Sequence, residues 1–112
     1  MSGGRVPSHI DGMRKATTDA LTFVAGMTEE DFLNDYKTQA AVAMCLTVIG
    51  EAASRIALTS PDFLLAHPEW PWNEMRGMRN RIVHAYDTLN VPVMWLTTTQ
   101  SLPELKALLD AL

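Results

Sequence analysis

The chain has one cysteine, Cys45, in 112 residues, which excludes an internal disulfide. A lone thiol on an apolar stretch suits a reducing cytosol and reads as a buried free cysteine. Net positive charge is also missing, since nine lysines and arginines face 13 aspartates and glutamates and leave −4. No global field can therefore hold nucleic acid, and any such contact must be local. Aromatic residues are scarce, with three Phe, two Tyr and three Trp against many alanines, leucines and seven methionines. That balance favours helices over strands. The longest apolar run, Ala40 to Ile49, is interrupted by Thr47 and falls short of the about 20 residues that span a bilayer. The opening Met-Ser-Gly-Gly-Arg-Val-Pro lacks the apolar core of a signal peptide. We expect a soluble, cytoplasmic protein with no membrane association: a flexible stretch over residues 1–7, then one helical domain over 8–112. There is no glycine-rich phosphate loop, no Ser-His-Asp spacing, no internal repeat and no cluster of histidines or carboxylates at metal spacing. No metal or other cofactor is expected.

Helical periodicity organises what is present. Ser8 is a cap candidate for a first helix to about Ala25, with Ile10, Met13, Ala16 or Thr17, Ala20, Leu21 and Val24 on one stripe and Gly26 as its stop. Thr28 with Asp31 forms a capping pattern for a short turn through Leu33, and Asp35 or Tyr36 opens the next helix. That helix, to about Leu58, is apolar over most of its circumference, as in the middle of a bundle or a subunit interface. Its Glu51 admits two readings: an intrahelical pair with Arg55, or a buried carboxylate that orients an arginine of the stretch Arg76 to Arg81. Ser60-Pro61-Asp62 starts another short turn. His67-Pro68-Glu69-Trp70-Pro71 cannot be helical, because each proline biases its predecessor to extended backbone. Trp70 and Trp72 suit packing under this loop better than stacking on bases. Asn90-Val91-Pro92 begins a last helix with Val93, Leu96, Ser101, Leu102, Leu105, Leu108, Leu109 and Leu112 on its core face and a kink at Pro103. The sum is an all-α, up-down helical bundle with a kinked C-terminal helix.

Chemistry concentrates between Glu74 and Asp87. Met75, Met78, Ile82 and Val83 give this stretch a core-facing stripe, and the remaining positions carry Arg76, Arg79, Asn80, Arg81, His84 and Tyr86. At 100° per residue Arg79 and His84 point about 140° apart, so a straight helix cannot converge them. Either the helix ends near His84, or two copies of the motif work together across a twofold axis.

Arg79, Asn80, His84 and Tyr86 within G-M-R-N-x-x-x-H-x-Y resemble the signature of HEPN-domain ribonucleases, specifically HepT toxins of toxin-antitoxin pairs. Lys37-Thr38-Gln39, Ile49-Gly-Glu-Ala-Ala-Ser-Arg55, Pro71-Trp72 and Leu102-Pro-Glu-Leu105 stand in the same order as in that family. Asp87-Thr88-Leu89 replaces the Phe-Gly that many relatives carry after the tyrosine. The resemblance implies a HEPN-type bundle acting as a metal-independent endoribonuclease on transfer or messenger RNA. It implies a homodimer or higher oligomer with a composite cleft, in which the 2′-OH attacks. His84 would take the proton of that hydroxyl, Arg79 would neutralise the phosphorane, and Asn80 would orient His84 or a phosphate oxygen. Arg76, Arg81 and Glu51 would support the site or bind RNA. The implied partner is an MntA-like minimal nucleotidyltransferase antitoxin that transfers AMP onto Tyr86. The competing reading from composition is a non-catalytic helical interaction module whose arginines are surface charges.

Overall fold

The computed structural model describes the backbone of residues 2–112 and the side chains of residues 6–85 and 87–112. Its first helix, α1, spans Ser2–Val24 and buries Ile10, Met13, Ala16, Thr17, Ala20 and Val24, the stripe expected from periodicity. It starts at Ser2 rather than Ser8, so the expected flexible lead is helical backbone from Ser2 on and Pro7 lies inside the helix. A proline so near a helix start forfeits only one intrahelical bond, and Val6 packs against the core. Gly26 ends the segment with φ +78°, a conformation that costs a residue without Cβ little.

The short α2, Glu29–Leu33, carries the reciprocal capping box: Asp31 N–H donates to Thr28 Oγ1 and Thr28 N–H donates to Asp31 Oδ2. It seats Phe32 fully in the core, where its ring lies 5.4 Å from Trp95. Gln39 Nε2 donates to the carbonyls of Phe32 and Leu33, which ties α2 to the next helix.

That helix, α3 (Tyr36–Thr59), is the centre of the molecule and packs most extensively against α1 on one side and α5 (Trp72–His84) on the other. Asp35 caps it by accepting from Thr38 N–H at 3.0 Å and Thr38 Oγ1–H at 2.8 Å. Among the described residues α3 alone is long and apolar enough to cross a membrane by length and composition, a measure the run Ala40 to Ile49 did not meet. Half of its most apolar window is buried inside the bundle, as in core helices. Cys45 lies on its buried side, and burial pushes the thiol pKa up.

After α4 (Pro61–Ala66) the connector is held by its own rings. Trp70 and Trp72 are both buried and stacked 5.3 Å apart, Phe63 meets each edge-on, and Trp72 Nε1–H donates to the His67 carbonyl at 2.9 Å. The tryptophans are core, as expected. His67, which the sequence leaves without a partner, lies 4.3 Å from the Phe63 ring and 3.7 Å from Glu69.

Asn90 caps α6 (Val91–Leu96), which runs through a π-helical stretch, Thr97–Ser101, into α7 (Leu102–Asp110). The kink expected at Pro103 takes this form because a wider turn relieves the clash of the ring with the preceding turn. Met94, Thr98, Leu102, Leu105 and Leu109 are buried, whereas Val93, Leu96, Ser101 and Leu112, expected inside, are exposed. Thr98 satisfies its buried hydroxyl by donating to the Met94 carbonyl. Arg14 Nη2–H donates to the Leu109 carbonyl at 3.0 Å, which satisfies one acceptor at the end of α7 from α1.

Candidate functional site

α5 begins with Glu74 in its first turn and ends with Arg81 and His84 in its last, and the charges of Glu74 and Arg81 are placed to favour the helix dipole. Trp72, Met75, Met78 and Ile82 form the buried stripe. Val83, expected on it, is 43% exposed, because it lies about 100° past Ile82 on a helix at the edge of the bundle.

The crossing of α3 and α5 is set by Gly50. A Cβ there would overlap Arg79 Cβ and stand 2.5 Å from the Met75 carbonyl oxygen, so only hydrogen allows the two backbones this close. The sequence signal is a lone glycine inside an apolar helix, which costs about 1 kcal/mol against alanine and is kept for a packing reason.

Next to Gly50, Glu51 meets both of the partners expected for it as alternatives, though its side chain is 38% exposed and not buried inside the bundle. Its Oε1 accepts from Arg55 Nε–H at 3.1 Å, and its Oε2 lies 3.2 Å from Arg79 Nε. The second contact is an ion pair without a hydrogen bond: the Arg79 Nε atom is fully buried, yet its N–H has no acceptor in line. The Arg79 side chain as a whole is 30% exposed. Its Nη1–H donates to Asn80 Oδ1 at 3.0 Å. In this chain Asn80 Oδ1 thus meets Arg79, whereas the resemblance implied that Asn80 orients His84 or a phosphate oxygen.

The arginines do not form one cluster. Arg79 faces α3, whereas Arg81, about 200° further round, has Nη2 4.0 Å from Met78 Sδ and lines a groove of roughly 480 Å³ against α6 and α7 with Glu69, Glu74 and Glu104. Arg76 is half-buried, and among the described residues it has no hydrogen-bond or ionic partner. His84 is the last residue of α5 and is exposed. Ending the helix at His84 thus joins it to Arg79 by no hydrogen bond or ion pair among the described residues. Tyr86 opens a 3₁₀ turn, Tyr86–Thr88, and its side chain lies outside the described residues. Beside this turn an apolar groove of roughly 380 Å³ runs along α3 past Tyr36, Ala40, Met44, Leu89 and Val91.

The family model for ribonuclease HepT-like proteins matches residues 13–112. The chain belongs to the HepT-like family. The match takes in every candidate residue, from Glu51 to Tyr86, and the whole bundle from the middle of α1 onward. A protein of Thermococcus cleftensis named "probable ribonuclease HepT" is 46% identical over 74% of this chain and 73% of its own length. A protein of Methanocaldococcus jannaschii named "putative RNase" is 35% identical over 76% of this chain and 68% of its own. A second M. jannaschii protein with that description is 28% identical over 95% of this chain and 94% of its own. No solved structure matches the chain. Within the HepT-like family an all-α bundle without strands among the described residues is the expected architecture, and it is the one observed.

Proposed function

We propose that the chain is the toxin of a toxin-antitoxin pair, a metal-independent endoribonuclease that cleaves RNA by attack of the 2′-OH. The observation that carries this reading is the Arg79-to-His84 motif on the last turns of α5, with His84 exposed and Arg79 partly so, in a chain of the HepT-like family. His84 removes the proton of a ribose 2′-OH, and the freed oxygen bonds to the adjacent phosphorus. Arg79 stabilises the charge that builds on the phosphorane oxygens, and the 5′-oxygen leaves and is protonated. The products are a 2′,3′-cyclic phosphate and a 5′-hydroxyl.

The working unit is a homodimer with a composite cleft in the cytoplasm. Two features support it: Arg79 and His84 diverge within one chain, and α3 and α5 expose Met44, Val48 and Val83 beside the motif. Self-complementary faces place like helices side by side, so an Arg79 of one copy can meet a His84 of the other. Regulation falls on Tyr86. The partner nucleotidyltransferase joins the tyrosine oxygen to the α-phosphorus of ATP and releases pyrophosphate. The adenylate then competes with the substrate phosphate by charge and bulk.

Purified protein incubated with RNA in EDTA tests the enzyme reading, since a non-catalytic module leaves the RNA intact. Cleavage of a 2′-deoxy substrate at a comparable rate excludes the 2′-OH route. Intact-mass measurement after co-expression with a minimal nucleotidyltransferase tests the regulatory part: wild type gains one AMP and Tyr86→Phe does not. No gain on wild type, or the same gain on Tyr86→Phe, removes Tyr86 as the target.

A further inference from the structure

The Arg79 guanidinium is fixed at two of its three nitrogens. Nε lies against Glu51 Oε2 at 3.2 Å, and Nη1 donates to Asn80 Oδ1 at 3.0 Å. We infer that Glu51 is a positioning residue for Arg79, and that Gly50 is what brings it within reach. The inference rests on the ribonuclease reading for Arg79's role, while the contact itself is independent of it.

Three observations converge. First, the missing Cβ at Gly50 lets the Arg79 segment of α5 lie directly on α3, and the next residue of α3 is then the one beside Arg79 Nε. Second, that Nε is buried with no hydrogen-bond acceptor. A charged group is costly to bury on one edge unless an opposite charge stands near, and Glu51 Oε2 is the carboxylate oxygen paired with it among the described residues. Third, Glu51 divides its two oxygens between Arg55 and Arg79, so it anchors Arg79 without neutralising it. What remains for substrate is Nη2, which has no partner among the described residues, and the second Nη1 hydrogen. Those donors are at the Nη end of the guanidinium, in the fork geometry that suits two phosphoryl oxygens. A guanidinium free to rotate about its last torsions would spend part of its binding on being oriented; one held at Nε and Nη1 does not.

The test uses the full chain, a labelled RNA oligonucleotide and single-turnover conditions. Glu51→Gln keeps the side-chain shape and removes the charge. We expect it to lower the cleavage rate constant by about 10-fold or more while RNA affinity changes by less than about 3-fold. Glu51→Asp, shorter but charged, restores part of that rate. Arg55→Ala, which removes the other claimant on Glu51, leaves the rate as in wild type. In an Arg79→Lys background, which has no Nε, Glu51→Gln has no further effect. Glu51→Gln at the wild-type rate overturns the inference, and so does an equal loss in the Arg79→Lys background. An arm without RNA uses the ¹H–¹⁵N resonance of Arg79 Nε–H, expected to shift and to exchange faster with solvent in Glu51→Gln. If wild type cleaves no RNA, the ribonuclease reading fails and this arm alone judges the positioning: an Nε–H resonance unmoved by Glu51→Gln overturns it.

Discussion

Arg79 and His84 stand five residues apart on one helix, and the fold treats them in opposite ways. Arg79 lies where α5 crosses α3 over Gly50, with one nitrogen fully buried and two polar partners. His84 lies where α5 stops, exposed, before a 3₁₀ turn. One half of the motif is thus built into the monomer's packing, and the other is presented outward. For a reaction that needs a fixed positive charge and a base that must meet the substrate, this is a workable division. Preorganisation matters most for the group that stabilises charge in the transition state. It also means that the two residues should respond differently to substitution in everything except catalysis.

The largest effect tests that contrast directly. Arg79→Ala and His84→Ala should each lower RNA cleavage by about 10²-fold or more, measured under single turnover. Their melting temperatures should diverge. Arg79→Ala takes a counter-charge from Glu51 and packing from the Gly50 crossing, so its melting point falls. His84→Ala removes an exposed side chain without a hydrogen bond among the described residues and leaves the melting point in place. A His84→Ala protein that melts as low as Arg79→Ala would erase the distinction between anchored and presented halves.

Gly50→Ala sharpens the comparison from the other side of the crossing. The new methyl meets both the Met75 carbonyl oxygen and Arg79 Cβ, neither of which is the end of a flexible chain, so the helices must part. Overpacking of this kind costs about 1–3 kcal/mol, to be read from urea unfolding at constant m-value. Cleavage should fall with it, because Arg79 moves away from Glu51. Full activity in a destabilised Gly50→Ala protein would separate the packing from the site.

Much of this was legible in the chain, and the legible parts are those written in local chemistry. Thr28 with Asp31, Asp35 before Tyr36, Gly26, and Asn90 ahead of Val91 each mark a helix end by a mechanism that acts within a few residues. The segments that carried the family resemblance divide by role. Thr38 completes the Asp35 cap of α3, Gln39 ties α2 to α3, Trp72 holds the connector, and Leu102 and Leu105 fill the core. Gly50, Glu51, Arg79 and Asn80 assemble around one guanidinium. What escaped depends on tertiary geometry. Periodicity places Arg79 and Arg81 on opposite faces of α5, but only packing decides which of them meets α3. The kink at Pro103 was readable, yet its π-helical form was not, and Met94 and Thr98 face inward where Val93 and Leu96 were expected. For Glu51 the chain offered two partners as alternatives, and the fold uses both.

The smallest effect lies at the start of α3, well before the Gly50 crossing along the helix, and serves as the control for the rest. Asp35 accepts from the backbone N–H and the hydroxyl of Thr38, and those two bonds, the backbone one foremost, hold its carboxyl pKa below the ordinary value. A pKa lowered by folding means that the folded state favours the carboxylate. The stabilisation is therefore present above the unfolded pKa of about 3.9 and is lost as pH falls through the lower folded value. Asp35→Asn retains a good N-cap geometry and removes only the charge. Because Asp35 is only half-buried, solvent still screens its carboxylate and the difference is small. Wild type should melt slightly above Asp35→Asn at pH 7, and the two should converge as the pH is taken down through the folded-state pKa. A gap that persists at the acid end would show that the cap works through geometry alone. RNA cleavage at pH 7 should be the same in both, since nothing on α5 touches Asp35; a loss of activity here would mean that the start of α3 communicates with Glu51 along the helix.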